Sequence, residues 1–168
     1  MDAQLFYKNF STLSGLNFDF NGLSLFLDNY NLSTEIASNF INSYIVEAVY
    51  QVKGVNTTPE FSQINSEIGA KFNPDQKPSD LDLFFSMVSG SKSITHHDPY
   101  SVFILNLTGR VFYKVGAEDF ELNSGDLLVI PKGVTHKAIG LTPRITLSYA
   151  FFGNEAPGRV WTPTRDSG

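Results

Sequence analysis

The sequence predicts a mainly β fold, a sandwich or barrel of short strands, on three observations. Eight short apolar segments follow one another at nearly even spacing between Leu81 and Phe152, each bounded by turn residues. Aromatics make up 14% of the chain, with 15 Phe among 168 residues, and large rings suit the space between sheets. Hydrophobic residues reach 42% against 17% charged, a globular balance, and the length predicts one domain, residues 1–168.

The predicted strands are Leu81–Val88, Ser93–His97, Ser101–Leu107, Val111–Val115, Asp119–Leu122, Asp126–Ile130, His136–Ile139 and Arg144–Phe152. Between them lie Ser89-Gly90, Thr108-Gly109, Gly116, Asn123-Ser124-Gly125, Pro131-Lys132-Gly133 and Thr142-Pro143, all typical of turns. Residues 81–152 thus form the expected core. Upstream, apolar–polar alternation over Leu16–Phe20 and Leu23–Leu27 around Asn21-Gly22 predicts a hairpin. Ser33 to about Tyr50 predicts a helix, with Ser33 as N-cap and Ile36, Phe40, Tyr44 and Ala48 at helical spacing, packed on the outside of a sheet. Residues 55–78, rich in Asn, Thr, Ser, Pro and Gln, predict a loop with room for one short element. Residues 153–168 predict an irregular tail, which Trp161 would pin to the body.

Charge and composition exclude several functions. The net charge is −5 and no run of Lys or Arg occurs, so no nucleic-acid partner is expected. With no cysteine, disulfides, thiolate metal sites and a cysteine nucleophile are ruled out. No apolar stretch approaches a membrane span. Met1-Asp2-Ala3-Gln4-Leu5 lacks a basic segment followed by an apolar one, so no secretory signal is expected and the cytoplasm is the default compartment.

The chemistry concentrates around the three histidines. Two occur in Thr95-His96-His97-Asp98, and the third ends Gly125-x5-Pro131-x-Gly133-x2-His136. On a strand, residues i and i+2 share a face, so His96 and Asp98 aim together while His97 aims away. His136, from a later strand, can close a three-ligand face with them. Two imidazoles and one carboxylate with open positions suit non-haem Fe(II). At ordinary residue frequencies, the four fixed positions of the Gly125–His136 pattern arise by chance in roughly one such chain per thousand.

Gly125 to His136 resembles the second cupin motif, and Gly90-x5-His96-x-Asp98-x3-Val102-x6-Gly109 resembles the first. Asp98 and Val102 stand where metal-binding cupins carry a second histidine and a glutamate, so a triad replaces a four-ligand set. The stretches His96–Tyr113, Phe120–His136 and Leu147–Phe151 are similar to JmjC-type proteins, in particular the ribosomal oxygenase (protein hydroxylase) group, over about residues 81–152. The resemblance implies a double-stranded β-helix (cupin or jelly-roll) barrel, on which the N-terminal helix predicted over Ser33 to about Tyr50 would pack. It also implies an Fe(II)- and 2-oxoglutarate-dependent hydroxylase acting on a protein side chain or small molecule, with His96, Asp98 and His136 as the iron ligands and the catalytic centre.

That group carries a Lys or Arg fifteen positions after the first motif histidine, and here the position is Val111. Arg144, on the last core strand, is the expected replacement as the anchor for 2-oxoglutarate, since an Arg–carboxylate pair is strong and bidentate. Arg110, Lys92, Ser93, Asn106 and Tyr113 are further candidate contacts. Two other readings remain open: a cupin metalloenzyme that does not use 2-oxoglutarate, and a non-catalytic binding or assembly module. Cupin-type sheets often pair, so a homodimer belongs among the expectations, with the oligomeric state open.

Overall fold

The computed structural model describes residues 5–10, 16–30, 34–36, 41–42, 45–46 and 49–152, the three short segments from 34 to 46 as backbone only. Two antiparallel sheets face one another. The larger contains β1 (Phe6–Tyr7), β2 (Thr34–Ile36), β5 (Tyr50–Val52), β6 (Ser79–Ser86), β7 (Val102–Thr108), β10 (Leu127–Ile130) and β12 (Arg144–Phe151), in the order β1-β10-β7-β12-β6-β5-β2. The smaller contains β8 (Val111–Val115), β9 (Glu118–Leu122) and β11 (His136–Gly140), in the order β11-β8-β9. A two-residue hairpin pairs β3 (Ile41–Asn42) with β4 (Ile45–Val46). This is a jelly-roll arrangement, within the sandwich or barrel class that the even strand spacing predicts.

Seven of the eight predicted strands are present within two residues of their expected ends. The eighth, Ser93–His97, is a strand-like edge rather than a continuous strand. It runs beside β11 through isolated bridges, Lys92 to Ile139 and His96 to His136.

The N-terminal expectations need three corrections. The Asn21-Gly22 hairpin is instead helix α1 (Phe20–Tyr30). Asp19 caps it: its carboxylate accepts from the Gly22 amide at 2.9 Å, the third helical residue, and its carbonyl from Leu23 at 2.8 Å. Leu23 and Phe26 then share one helical face and are buried, which outweighs the local turn preference of Asn-Gly. The helix predicted over Ser33–Tyr50 is contradicted, because β2, β3 and β4 fall within it and β5 begins at its last residue. Its apolar residues are largely Ile and Val, whose stiff side chains favour strands, and β2 pairs with β5 from Thr34 opposite Val52 to Ile36 opposite Tyr50. The loop predicted over 55–78 contains the fourteen-residue helix α2 (Pro59–Phe72). Its start signal is legible in retrospect: Thr58 at the N-cap, Pro59 at the first helical position and Glu60 in the first turn. The tail after Gly153 and Trp161 lies outside the described residues.

An N-terminal helical layer does pack on the larger sheet, from α1 and α2. Phe26, Phe61, Ile64 and Ile68 bury against Leu81, Leu83, Leu105, Ile145 and Leu147. Phe61 lies 4.9 Å from Phe18 and 5.1 Å from Phe26, ring to ring and edge-on. The opposite face of the same sheet looks into the barrel. There Val102, Ile104, Leu128 and Ile130 meet Val111, Tyr113, Val115 and Ala138 of the smaller sheet. Among the described residues no helix is long and apolar enough to cross a membrane.

Candidate metal centre

Backbone pairing brings the two motif histidines together. The His96 amide donates to the His136 carbonyl at 3.0 Å, and the His136 amide donates to the His96 carbonyl at 2.7 Å. Residues that exchange both bonds sit directly opposite one another, with side chains on the same face. The imidazole centroids are 4.2 Å apart. Asp98 enters through the Pro131-Lys132-Gly133 turn: the Gly133 amide donates to the Asp98 carbonyl at 2.9 Å, and the Val134 amide closes the turn on the Pro131 carbonyl at 3.1 Å. Gly133 has φ of 75°, the left-handed conformation that favours glycine. The Pro-x-Gly-x2-His spacing therefore turns the chain into β11 and holds Asp98 beside it.

One nitrogen or oxygen from each of His96, Asp98 and His136 lies within 4.8 Å of the others. His136 Nε2 and Asp98 Oδ2 are 3.5 Å apart. The Nδ1 atoms point elsewhere, that of His96 to the Ile94 carbonyl at 2.7 Å and that of His136 to the Val134 carbonyl at 3.0 Å. A carbonyl only accepts, so each Nδ1 carries the proton and each Nε2 keeps a lone pair for a metal. Burial, followed by the charge on His96, lowers the His136 pKa from 6.5 to about 4, so the ring is neutral at ordinary pH. Burial raises the Asp98 pKa, against the opposing pull of His96 and His97. Two imidazoles with Nε2 turned inward and a carboxylate sheltered from water suit a divalent cation, which would compensate the buried charge.

The three residues line a cavity of about 490 Å³ between the sheets, with Ser93, Tyr113, Ala138, Arg144 and Thr146 in its walls. Inner-face positions of the smaller sheet form rungs. His96, His136 and Val115 share one; Ser93, Ala138 and Tyr113 the next; Ser91, Gly140 and Val111 the last. Arg144 reaches the last rung from the opposite sheet: its Cδ and Nε lie 3.3 Å from the point a Gly140 Cβ would occupy. The guanidinium thus stands at the rung where a cation at position 111 would project. Arg144 is 3% exposed, its Nε has no hydrogen-bond partner, and burial lowers its pKa while Tyr113 opposes the shift. Burial raises the Tyr113 pKa, and the nearby guanidinium acts against it.

The other nominated contacts divide. Ser93 lines the cavity, its Oγ accepting from the Ala138 amide at 2.8 Å. Lys92 bridges Ile139 at the neighbouring, outward position. Arg110 is a correction: strand alternation turns Val111 inward and leaves Arg110 exposed, paired with Glu121 at 3.1 Å. Asn106 is another: its Nδ2 donates to the Gly109 carbonyl at 2.6 Å, so the side chain braces a turn and is absent from the cavity wall.

Sequence reasoning missed the polar wall of β6 and β5. Asp80, Asp82 and Phe84 face the cavity because Leu81, Leu83 and Phe85 face the helices. Asp82 accepts from Gln51 Nε2 at 2.8 Å and from the Gly54 amide at 3.0 Å, tying the cavity mouth together. The alternation in β6 was visible; which face looked inward was not.

The cupin domain family matches residues 83–148, from β6 into β12. No curated protein matches the chain. The structure of YcfD, a ribosomal oxygenase from Escherichia coli, in complex with cobalt and 2-oxoglutarate is 23% identical, with a TM-score of 0.64 over 82% of this chain and 45% of that one. A crystal structure of the same oxygenase is 25% identical, with a TM-score of 0.64 over the same shares. A cupin-like protein from Thermotoga maritima is 12% identical, with a TM-score of 0.53 over 78% of this chain and 86% of that one. The likeness establishes a cupin fold, and the chain spans less than half the length of the ribosomal oxygenase.

Proposed function

We propose that the protein is an Fe(II)- and 2-oxoglutarate-dependent oxygenase that hydroxylates a protein side chain or a small molecule. One observation carries this reading. Two imidazole Nε2 atoms and a carboxylate converge at one end of a cavity, and a buried, incompletely partnered guanidinium stands in its wall two rungs away. The likeness to an oxygenase studied with cobalt and 2-oxoglutarate supports it.

The residues present fit both groups. His96, Asp98 and His136 would hold iron and leave positions for other ligands. Arg144 would neutralise the far carboxylate of 2-oxoglutarate, which would relieve its own unpartnered Nε. When bound, iron with 2-oxoglutarate and dioxygen supplies the oxidant: one oxygen atom ends in succinate, formed with loss of carbon dioxide, and the other in the hydroxylated substrate. The protein orients these partners. The Nδ1–H bonds to Ile94 and Val134 fix both imidazole planes, and Val102, Ile104 and Ala138 line the cavity with apolar surface that limits water.

The test is an anaerobic titration of the protein with Fe(II) and 2-oxoglutarate, followed by absorbance. A metal-to-ligand charge-transfer band supports the reading. Iron binding with no such band, and no succinate formed in air, would leave a cupin metalloenzyme of another kind or a binding module.

A further inference from the structure

The edge that carries His96 and Asp98 changes register along β11. Lys92 bridges Ile139, and the Ser93 amide donates to the Ala138 carbonyl at 2.9 Å. His96 then exchanges both backbone bonds with His136. Between these points the edge advances three residues, from Ser93 to His96, while β11 spans two, from Ala138 to His136. The extra residue sits at Ile94-Thr95 as a β-bulge.

This bulge decides which side chains reach the metal centre. Side chains alternate across a strand, so the register of Lys92 and Ser93, if continued, would set Thr95 opposite His136 and turn His96 and Asp98 outward. The extra residue returns both ligands to the cavity face that Ser93 shares. It also interrupts the ladder. In the register of the His96–His136 pair, Ile94 would lie opposite Ala138 and its carbonyl would accept from the Ala138 amide. Instead the Ile94 carbonyl accepts from His96 Nδ1 at 2.7 Å, and the Ala138 amide donates to Ser93 Oγ at 2.8 Å. A side-chain hydroxyl thus stands in for a ladder carbonyl. Ala138 is 4% exposed, so without that hydroxyl its amide would be buried and lack an acceptor.

We infer that Ser93 is a positioning residue for the metal centre: by satisfying the Ala138 amide, its hydroxyl leaves the Ile94 carbonyl to orient the His96 imidazole. Loss of the hydroxyl draws the Ile94 carbonyl back towards the Ala138 amide and releases His96 Nδ1. The ring then loses the bond that fixes its plane and its tautomer. This rests on the metal-centre part of the oxygenase reading and is independent of the co-substrate.

The experiment compares the wild type with Ser93→Ala, Ser93→Val, Ser93→Thr and, as a control for lost stability, Phe61→Ala, at a temperature where all are folded. Co(II) affinity is read from visible absorbance on titration, and the His96 tautomer from nitrogen NMR of the metal-free protein. Groups that orient a metal-bound histidine are typically worth about ten- to a hundredfold in affinity, and a loss of that size is expected for Ser93→Ala and Ser93→Val. Ser93→Thr, which differs from Ser93→Val in keeping the hydroxyl, should bind Co(II) like the wild type, as should Phe61→Ala despite its lower stability. The His96 proton should stay on Nδ1 in the wild type and Ser93→Thr and be shared between the two nitrogens in Ser93→Ala and Ser93→Val. The inference is overturned, with the metal centre left standing, if the last two variants bind Co(II) as tightly as the wild type or keep its His96 tautomer. Equal losses of affinity in Ser93→Thr or Phe61→Ala overturn it as well, since volume or stability would then account for them. A wild type that does not bind Co(II) overturns the metal-centre reading together with it.

Discussion

At His136 one side chain joins three demands: a backbone pair with His96, a protonated Nδ1 and a free Nε2. Replacing it with Ala removes one of three donors, and we expect stoichiometric Fe(II) binding to be lost, as measured by equilibrium dialysis. The same burial makes stability depend on pH. The folded pKa of about 4 lies below the ordinary 6.5, so between these values the unfolded chain takes up a proton that the folded chain refuses. Stability is fully present above pH 6.5 and is lost as pH falls through the window, by about 3 kcal/mol for a shift of this size. Asp98, with its raised pKa, acts in the opposite sense from 3.8 upward and offsets part of that loss. In urea titrations of the metal-free protein from pH 7 to pH 4.5, the midpoint should fall more steeply for wild type than for His136→Gln. Arg144 behaves differently. Arg144→Met should keep Fe(II) binding and abolish 2-oxoglutarate-dependent succinate formation, which an assay of both separates.

Strands and helices show where local signals decide and where they do not. Asp19 begins α1 with a bond that Ala cannot make, so Asp19→Ala should cost about 1 kcal/mol in denaturant unfolding. Phe61, fully buried between Phe18 and Phe26, anchors α2 to the sheet, and Phe61→Ala should cost about 3–5 kcal/mol by the same measurement. Neither change touches the cavity, so metal affinity at a temperature where the variants remain folded should match wild type. In β6 the alternation Asp80, Asp82, Phe84 against Leu81, Leu83, Phe85 would be read as polar-out, apolar-in for a barrel standing alone. The helices reverse that assignment. They cover the apolar face, and the polar face becomes the wall of the site.

Across the molecule, two cores share the load. The layer between the helices and the larger sheet is almost wholly apolar, while the barrel interior mixes apolar residues with the polar lining of the cavity. This division lets the barrel hold a buried neutral histidine beside a sheltered aspartate and a buried arginine, and the two charged groups oppose folding until a ligand compensates them. Ligands that bind only the folded state should therefore stabilise it. We expect the thermal midpoint to rise with Fe(II), and to rise again with 2-oxoglutarate at concentrations well above its dissociation constant.

The sequence by itself determined the strand series from residue 81 onward, because turn residues and period-two patterning are local and each segment carries its own evidence. It also singled out His96, Asp98 and His136, since alternation puts the first and third residues of His-x-Asp on one face and Pro-x-Gly-x2-His encodes its own turn. It missed α1 and α2 and misread β2 to β5, where Asn21-Gly22, the Ile-rich segment and the Pro59 region each carry signals for more than one structure. Only the tertiary structure decided these. Burial against a distant sheet outweighs a weak local preference, and that sheet is assembled from strands as far apart in the chain as β1 and β12. The same holds for Arg144, Ser91 and Gly140. Their convergence is a matter of register between two sheets, a long-range quantity that no local spacing carries.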